Sequence, residues 1–215
     1  MMNFIIKVII YIYSMTKINK YSLIIALFTI INTNISMAYE EPKYQIVKSN
    51  GNYEIRKYLS RLAVEINYSS EDSGFKYLFN YISGENSISE KIKMTVPVTQ
   101  SININMTKPV TQFNKDGKMI MQFYLPSKFS IENAPKPSNK RVKLVTIDAG
   151  YYAVLKYSGR ATDKNYLNHI KKLREYLIDD NIDMLDNGTK STYNGPFTFP
   201  IFRRNEAMIN IKWNF

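Results

Sequence analysis

Apolar and polar positions alternate with a period of two along much of the chain and change to a helical period twice. Tyr44, Ile46 and Val47 begin a strand, Asn50-Gly51 is a turn signal, and Asn52–Tyr58 resumes the alternation. There Tyr53, Ile55 and Lys57 share one side and Glu54, Arg56 and Tyr58 the other, which predicts a hairpin of Tyr44–Lys48 with Tyr53–Lys57. Leu62, Val64 and Ile66 give the next strand one apolar side. After Ser73, a cap candidate, Phe75, Leu78, Phe79 and Ile82 recur at i, i+3, i+4 and i+7, which predicts a short helix stopped by Gly84. Ile92, Met94 and Val96 then alternate with Lys93 and Thr95 before Pro97, a strand edge or bend joining the two halves. Asp116-Gly117 is a hairpin turn ahead of the strand Met119–Leu125, which Pro126 ends.

The second half repeats this outline. Pro135 and Pro137 mark a surface loop, Val142–Ile147 and Tyr152–Tyr157 read as strands, and Thr162–Ile178 reads as a helix with the stripe Tyr166, Ile170, Leu173 and Leu177. Ala207–Trp213 is a terminal strand. Neither half could bury its helix and sheet alone, so the expected fold is α+β, with two helices on a twisted antiparallel sheet that curls toward a barrel.

At 215 residues, 45% hydrophobic and 22% charged, the chain suits one sizeable core. Residues 1–38 stand apart. A basic stretch with Lys17 and Lys20 precedes the apolar run Leu23–Ile31, and Ser36-Met37-Ala38 has the small-x-small form of a signal-peptidase site. The expectation is a leader cleaved after Ala38, a periplasmic or secreted protein, and a single domain over 39–215. Residues 1–14 read as an N-terminal extension, with Met15 as the alternative start, and an uncleaved membrane anchor is the alternative to cleavage. Residues 1–38 carry three lysines and no acid, which leaves +8 of the net charge of +11 for the rest. That charge suits weak contact with an anionic membrane or an acidic ligand. No zinc-finger spacing or arginine-rich run points to nucleic acid.

The absence of cysteine removes disulfides, thiolate metal sites and cysteine nucleophiles. His169 is the single histidine, at the margin of the second helix's apolar stripe. One histidine cannot form a bis-histidine site, and no G-x-S-x-G or G-x-G-x-x-G is present. A non-catalytic binding protein is therefore expected. Arg56, Lys57, Arg203 and Arg204 are candidates to neutralise an anionic ligand. The competing reading makes Glu54, Arg56, Arg204 and Glu206 ordinary surface or cross-strand pairs.

The segments Glu41-Pro42-x-Tyr44, Gly51-x-Tyr53-Glu54-Ile55-Arg56-x-Tyr58, Lys91-Ile92-x-Met94-Thr95-x-Pro97-Val98, Met121-x-Phe123-x-Leu125-Pro126 and Arg203-Arg204-Asn205-Glu206 together resemble the SOUL, or heme-binding protein, family. The resemblance covers roughly residues 40–213. It implies a barrel-like antiparallel sheet built from duplicated β-α-β-β units with two helices outside, and a monomer that binds heme or another tetrapyrrole. The family's best-described axial histidine lies early in the domain, where this chain has none. The cofactor-binding candidates are then Tyr53, Arg56, Met94, His169 and Arg204, with Tyr58 and Tyr68 as further possible ligands for iron. The fold also resembles bacterial effector-binding domains. That leaves two alternatives open: another small amphipathic ligand without heme, or a basic surface module.

Overall fold

Eleven strands and two helices follow one another in a computed structural model that describes residues 39–69, 74–87 and 104–214. The strands are β1 (Tyr44–Ser49), β2 (Glu54–Tyr58), β3 (Arg61–Tyr68), β4 (Asn86–Ser87), β5 (Val110–Lys115), β6 (Lys118–Tyr124), β7 (Lys136–Pro137), β8 (Val142–Ile147), β9 (Gly150–Tyr157), β10 (Thr189–Thr192) and β11 (Asn205–Ile211). The helices are α1 (Gly74–Ile82) and α2 (Asp163–Asp179). Residues 39–215 form one unit. Among the described residues no helix is long and apolar enough to cross a membrane.

Nine strands form one antiparallel sheet in the order β1-β2-β9-β11-β10-β5-β6-β3-β8, and β4 pairs with β7 separately. This order corrects the expected barrel-like sheet. β1 and β8 lie at opposite ends and do not pair with each other, so the sheet is open. Closure would need that last ladder of hydrogen bonds. β1 is protected as an edge in another way: its register slips between Ile46 and Lys48, and Gln45, Lys48 and Ser49 face water.

Each half runs strand, helix, hairpin: β3, α1, β5–β6 and then β9, α2, β10–β11. The strand leading into each half pairs with the first strand of the other half, β2 with β9 and β8 with β3. Neither half is therefore complete without the other. At the β5–β6 turn Asp116 and Gly117 both take positive φ, 52° and 76°, as a two-residue hairpin turn requires.

Both helices lie on one face. Leu78, Tyr81 and Ile82 of α1 pack on Leu62, Val64, Ile66, Met121 and Phe123. Ile170, Leu173 and Leu177 of α2 pack on Ile55, Ala153, Leu155, Ala207 and Ile209. Directly paired residues share a face. The pairs Phe123–Val110, Gln112–Lys190 and Lys190–Ala207 carry the α1 side across to the α2 side. Each of those three α2 side chains, at most 5% exposed, contributes about 1.5–3 kcal/mol by burial. Thr162 caps α2 by accepting from Asn165 N at 3.3 Å.

The buried face of α1 keeps Leu78 and Ile82 of the expected stripe and replaces Phe75 and Phe79 by Gly74 and Tyr81, with Phe75 edge-on to Phe123 at its margin. Gly74, Leu78, Tyr81 and Ile82 face the sheet, whereas Phe75 and Phe79 are 40% and 46% exposed and stack on each other. Two features set this rotation. A Cβ on Gly74 would meet Ile66 Cγ2 at 3.1 Å, so any other residue here would push on the sheet. The buried Tyr81 hydroxyl donates to the Pro135 carbonyl at 2.8 Å, a partner available only inward.

Candidate functional site

The other face of the sheet carries no helix. Alternation brings Arg56, Arg61, Gln122, Tyr124, Tyr152, Met208 and Glu206 to it, because their neighbours along each strand face the helices. Arg56 and Glu206 are each 0% exposed. Two arginines here, Arg56 buried and Arg61 half-buried, have opposite circumstances.

Arg56 is saturated. Its Nη1 and Nη2 donate to the two carboxylate oxygens of Glu206 at 3.0 and 3.1 Å, Nη1 also reaches Tyr58 Oη at 3.1 Å, and Nε donates to Glu54 at 2.8 Å. Glu206 in turn accepts from Tyr193 Oη at 2.6 Å and from Arg204 at 3.0 Å. Arg204 reaches outward to Glu41 at 3.0 Å and covers the Tyr193 ring. Burial opposes the charge on Arg56, and Glu206 more than restores it, holding its pKa above the ordinary value. In the same way burial, reinforced by Glu206, keeps Tyr193 neutral well above the usual tyrosine range.

Arg61 is not saturated. Its guanidinium carbon lies 4.7, 5.0 and 5.3 Å from the ring centres of Tyr58, Tyr124 and Tyr152. Its Nε and Nη1 are buried without a hydrogen-bond partner. The Tyr124 and Tyr152 phenols keep its pKa raised against the burial that would lower it, yet neither accepts from those two atoms. Ring faces offset part of the cost of removing this cation from water, and among the described residues no carboxylate is ion-paired with it. Arg61 and Tyr124 border two sizeable hollows. One, of about 280 Å³, is lined also by Gln122, Tyr152, Asp186 and Met208, and the other, of about 220 Å³, by Glu40, Glu41, Lys43 and Phe129 among others.

A hollow of about 410 Å³ lies on the helix-bearing side, beside Met119, Tyr166, Leu167 and Ile170. Its bordering cations are engaged: Lys190 with Asp163 at 2.6 Å, and Arg174 with the Asn187 carbonyl at 2.7 Å. Larger volume there comes without a free charge.

The residues singled out in the sequence separate accordingly. Arg56 and Arg204 meet at Glu206, and both are committed to it. Tyr53 lies on the helix-bearing side, stacked on Tyr176 and donating to Asp180. His169 is on α2, its ring 4.1 Å from that of Tyr157 and its Nδ1 2.7 Å from the Asn165 carbonyl oxygen. The seven residues from His169 to Tyr176 span about 10 Å of helix, so Tyr53 and His169 do not meet. Met94 lies outside the described residues. Arg61, Tyr124, Tyr152 and Met208 were not singled out. A charged residue in phase with Ala63 and Glu65 reads as an ordinary solvated position, so the sequence carries no signal for Arg61.

The family model for the SOUL heme-binding protein matches residues 39–210. The chain belongs to the SOUL heme-binding protein family. No curated protein sequence matches it. Among solved structures it is similar to the C-terminal domain of EcmrR, at 11% identity and a TM-score of 0.53, over 79% of this chain and 98% of that one. An uncharacterised conserved protein from Listeria innocua follows at 9% identity and a TM-score of 0.49, over 86% and 98% of the two chains. At such identity the EcmrR likeness shows shared fold alone.

A SOUL protein's tetrapyrrole brings a flat apolar ring and carboxylates. The helix-free face fits both, through tyrosine rings and the unpartnered N–H groups of Arg61. Histidine ligation of iron does not fit this face, because His169 is on the other side of the sheet. Among the described residues no group of three or more His, Cys, Asp or Glu could hold a metal ion.

Proposed function

We propose that this SOUL-family chain is a non-catalytic binding protein whose ligand, heme or another tetrapyrrole, lies on the helix-free face with a carboxylate against Arg61. One observation carries the reading: the buried Nε and Nη1 of Arg61 have no hydrogen-bond partner. Buried polar groups are almost always paired, so an unpaired pair of charged donors in a hollow is a place kept for an acceptor. The planar guanidinium matches a carboxylate in geometry and charge. The flanking tyrosines offer stacking area at little entropic cost, and a hollow of about 280 Å³ beside them is near the lower end for small-molecule sites. Iron, where the ring carries it, would supply Lewis-acid and redox chemistry, and His169, on the other side of the sheet, would not hold it. The protein acts as an exported monomer after removal of residues 1–38, which the N-terminal mass of exported material tests: a first residue of Tyr39 supports it, and a retained leader overturns it.

The ligand test is a visible-absorbance titration with heme and with metal-free protoporphyrin. Saturable one-to-one shifts are expected for both. Arg61→Ala weakens them roughly 10–100-fold, the worth of a lost hydrogen bond to a charged group. His169→Ala leaves them unchanged. A shift that disappears in His169→Ala and persists in Arg61→Ala overturns the placement, and no saturable shift with either compound overturns the ligand.

A further inference from the structure

The connection between β10 and β11 carries an unusual surface. Within six residues, Phe197 is 99% exposed, Phe199 74%, Ile201 72% and Phe202 73%. Soluble surfaces scatter such side chains singly, and a contiguous group marks a contact site.

The backbone of this loop is fixed. Thr198 N donates to the Gly195 carbonyl at 3.2 Å, and a short 3-10 turn, Pro200–Phe202, is closed by Phe202 N on the Phe199 carbonyl at 3.0 Å and Arg203 N on the Pro200 carbonyl at 3.1 Å. Arg203 Nε braces the Thr198 carbonyl at 2.8 Å, and Asn194 Oδ1 accepts from Arg204 N at 2.7 Å. The Pro200 carbonyl also accepts from Gly159 N at 2.8 Å, which ties the loop to the segment leading into α2. Local structure thus holds the polar backbone while four large apolar side chains point into water.

The charge beside the loop is positive. Arg160 and Lys164 are exposed on the segment that Gly159 anchors. The acid between them, Asp163, is paired with Lys190. The domain from residue 39 onward carries a net +8. Apolar side chains that project from a fixed loop, flanked by cations, complement a surface that is anionic outside and apolar a few ångströms deeper.

We propose that the 197–202 loop docks this protein on an anionic phospholipid surface, with Phe197, Phe199, Ile201 and Phe202 inserted at the headgroup boundary and Arg160 and Lys164 above it. The contact is independent of the Arg61 ligand site.

The test is co-sedimentation with phosphatidylcholine vesicles, with and without 30% phosphatidylserine, for the full chain and for residues 39–215, so that the apolar run of the leader is read separately. Residues 39–215 carry all three hydrophobic clusters and match the family model over almost their whole length. Wild type is expected to bind the anionic vesicles and to lose at least ten-fold in affinity in high salt. In residues 39–215, F197S/F199S/I201S/F202S loses at least ten-fold on the same vesicles, with an unchanged melting temperature because these side chains are exposed. R160E/K164E abolishes the preference for anionic lipid. Phe197→Trp gives a blue-shifted emission on vesicle addition, read against Trp213. Equal vesicle binding by wild type and the four-serine variant overturns the proposal. So does a wild type that ignores vesicles but self-associates through this loop, with the association lost in the four-serine variant, since the partner would then be a second copy of the chain.

Discussion

Arg56 and Arg61 lie five residues apart, face the same side of one sheet and both touch Tyr58, yet their energetics are opposite. Arg56 shares Glu206 with Arg204 and Tyr193, so charge and donors are balanced inside the fold. Arg61 has three rings around it and, among the described residues, no ion pair, although Asp186 borders the same hollow. The first arrangement fastens β2 to β11 across the intervening β9. The second leaves binding capacity unused. A buried charge is informative when its counter-charge is outside the protein.

The largest effect in breaking this contrast is expected at Arg56. Arg56→Met leaves Glu206 with less counter-charge at full burial and costs about 3–5 kcal/mol. That corresponds to a fall of roughly 10 °C in melting temperature. In a cycle with Glu206→Gln the double variant is less destabilised than the sum of the singles, because each removes the other's reason for being charged. Additive losses would show that the pair is not coupled.

Arg61→Met has the opposite expected sign. It removes an uncompensated cation, fills the space with an apolar chain, and leaves stability equal or raised by about 1 kcal/mol while ligand affinity falls at least ten-fold. A loss of stability like that of Arg56→Met would mean that Arg61 is structural.

The tyrosines that separate the two arginines give a pH signature. In the unfolded chain a phenol ionises near pH 10. In the fold burial pushes Tyr58 up to about 12 and outweighs the opposing Arg56, and burial likewise raises Tyr152 against Arg61. The unfolded state therefore releases protons first. Stability is fully present below about pH 10 and falls as pH rises toward 12. Tyr58→Phe is expected to flatten that slope in denaturant titrations between pH 9 and about 11, and an unchanged slope would argue against it.

The smallest effect is at His169. His169→Ala removes one ring stack and one bond to a helix carbonyl and costs about 1 kcal/mol. Circular dichroism melts measure it, and a loss of several kcal/mol would give this ring a larger structural part.

Where one phase of a segment was plainly apolar, the elements were legible. Ile170, Leu173 and Leu177 specify α2 and its buried side, and Asn50-Gly51 and Asp116-Gly117 specify two hairpins. In α1 Leu78 and Ile82 are flanked by apolar residues on both sides, so periodicity could not choose whether Phe75 and Phe79 or Tyr81 completes the buried stripe. β10, Thr189–Thr192, is polar and four residues long, and only its neighbours β5 and β11 make it a strand.

The site was less legible for the same reason. Arg56, Arg204 and Glu206 were recognisable as charges that could pair, and they do. Local sequence alone determined most of the longer strands, both helices and the two-fold outline of the chain, because hydrophobic period and turn chemistry act within a few residues. The tertiary structure decided the open strand order, the rotation of α1 and the isolation of Arg61. Each depends on which distant side chain arrives opposite, and a counter-ion's absence across a sheet is a property of packing that no stretch of sequence contains.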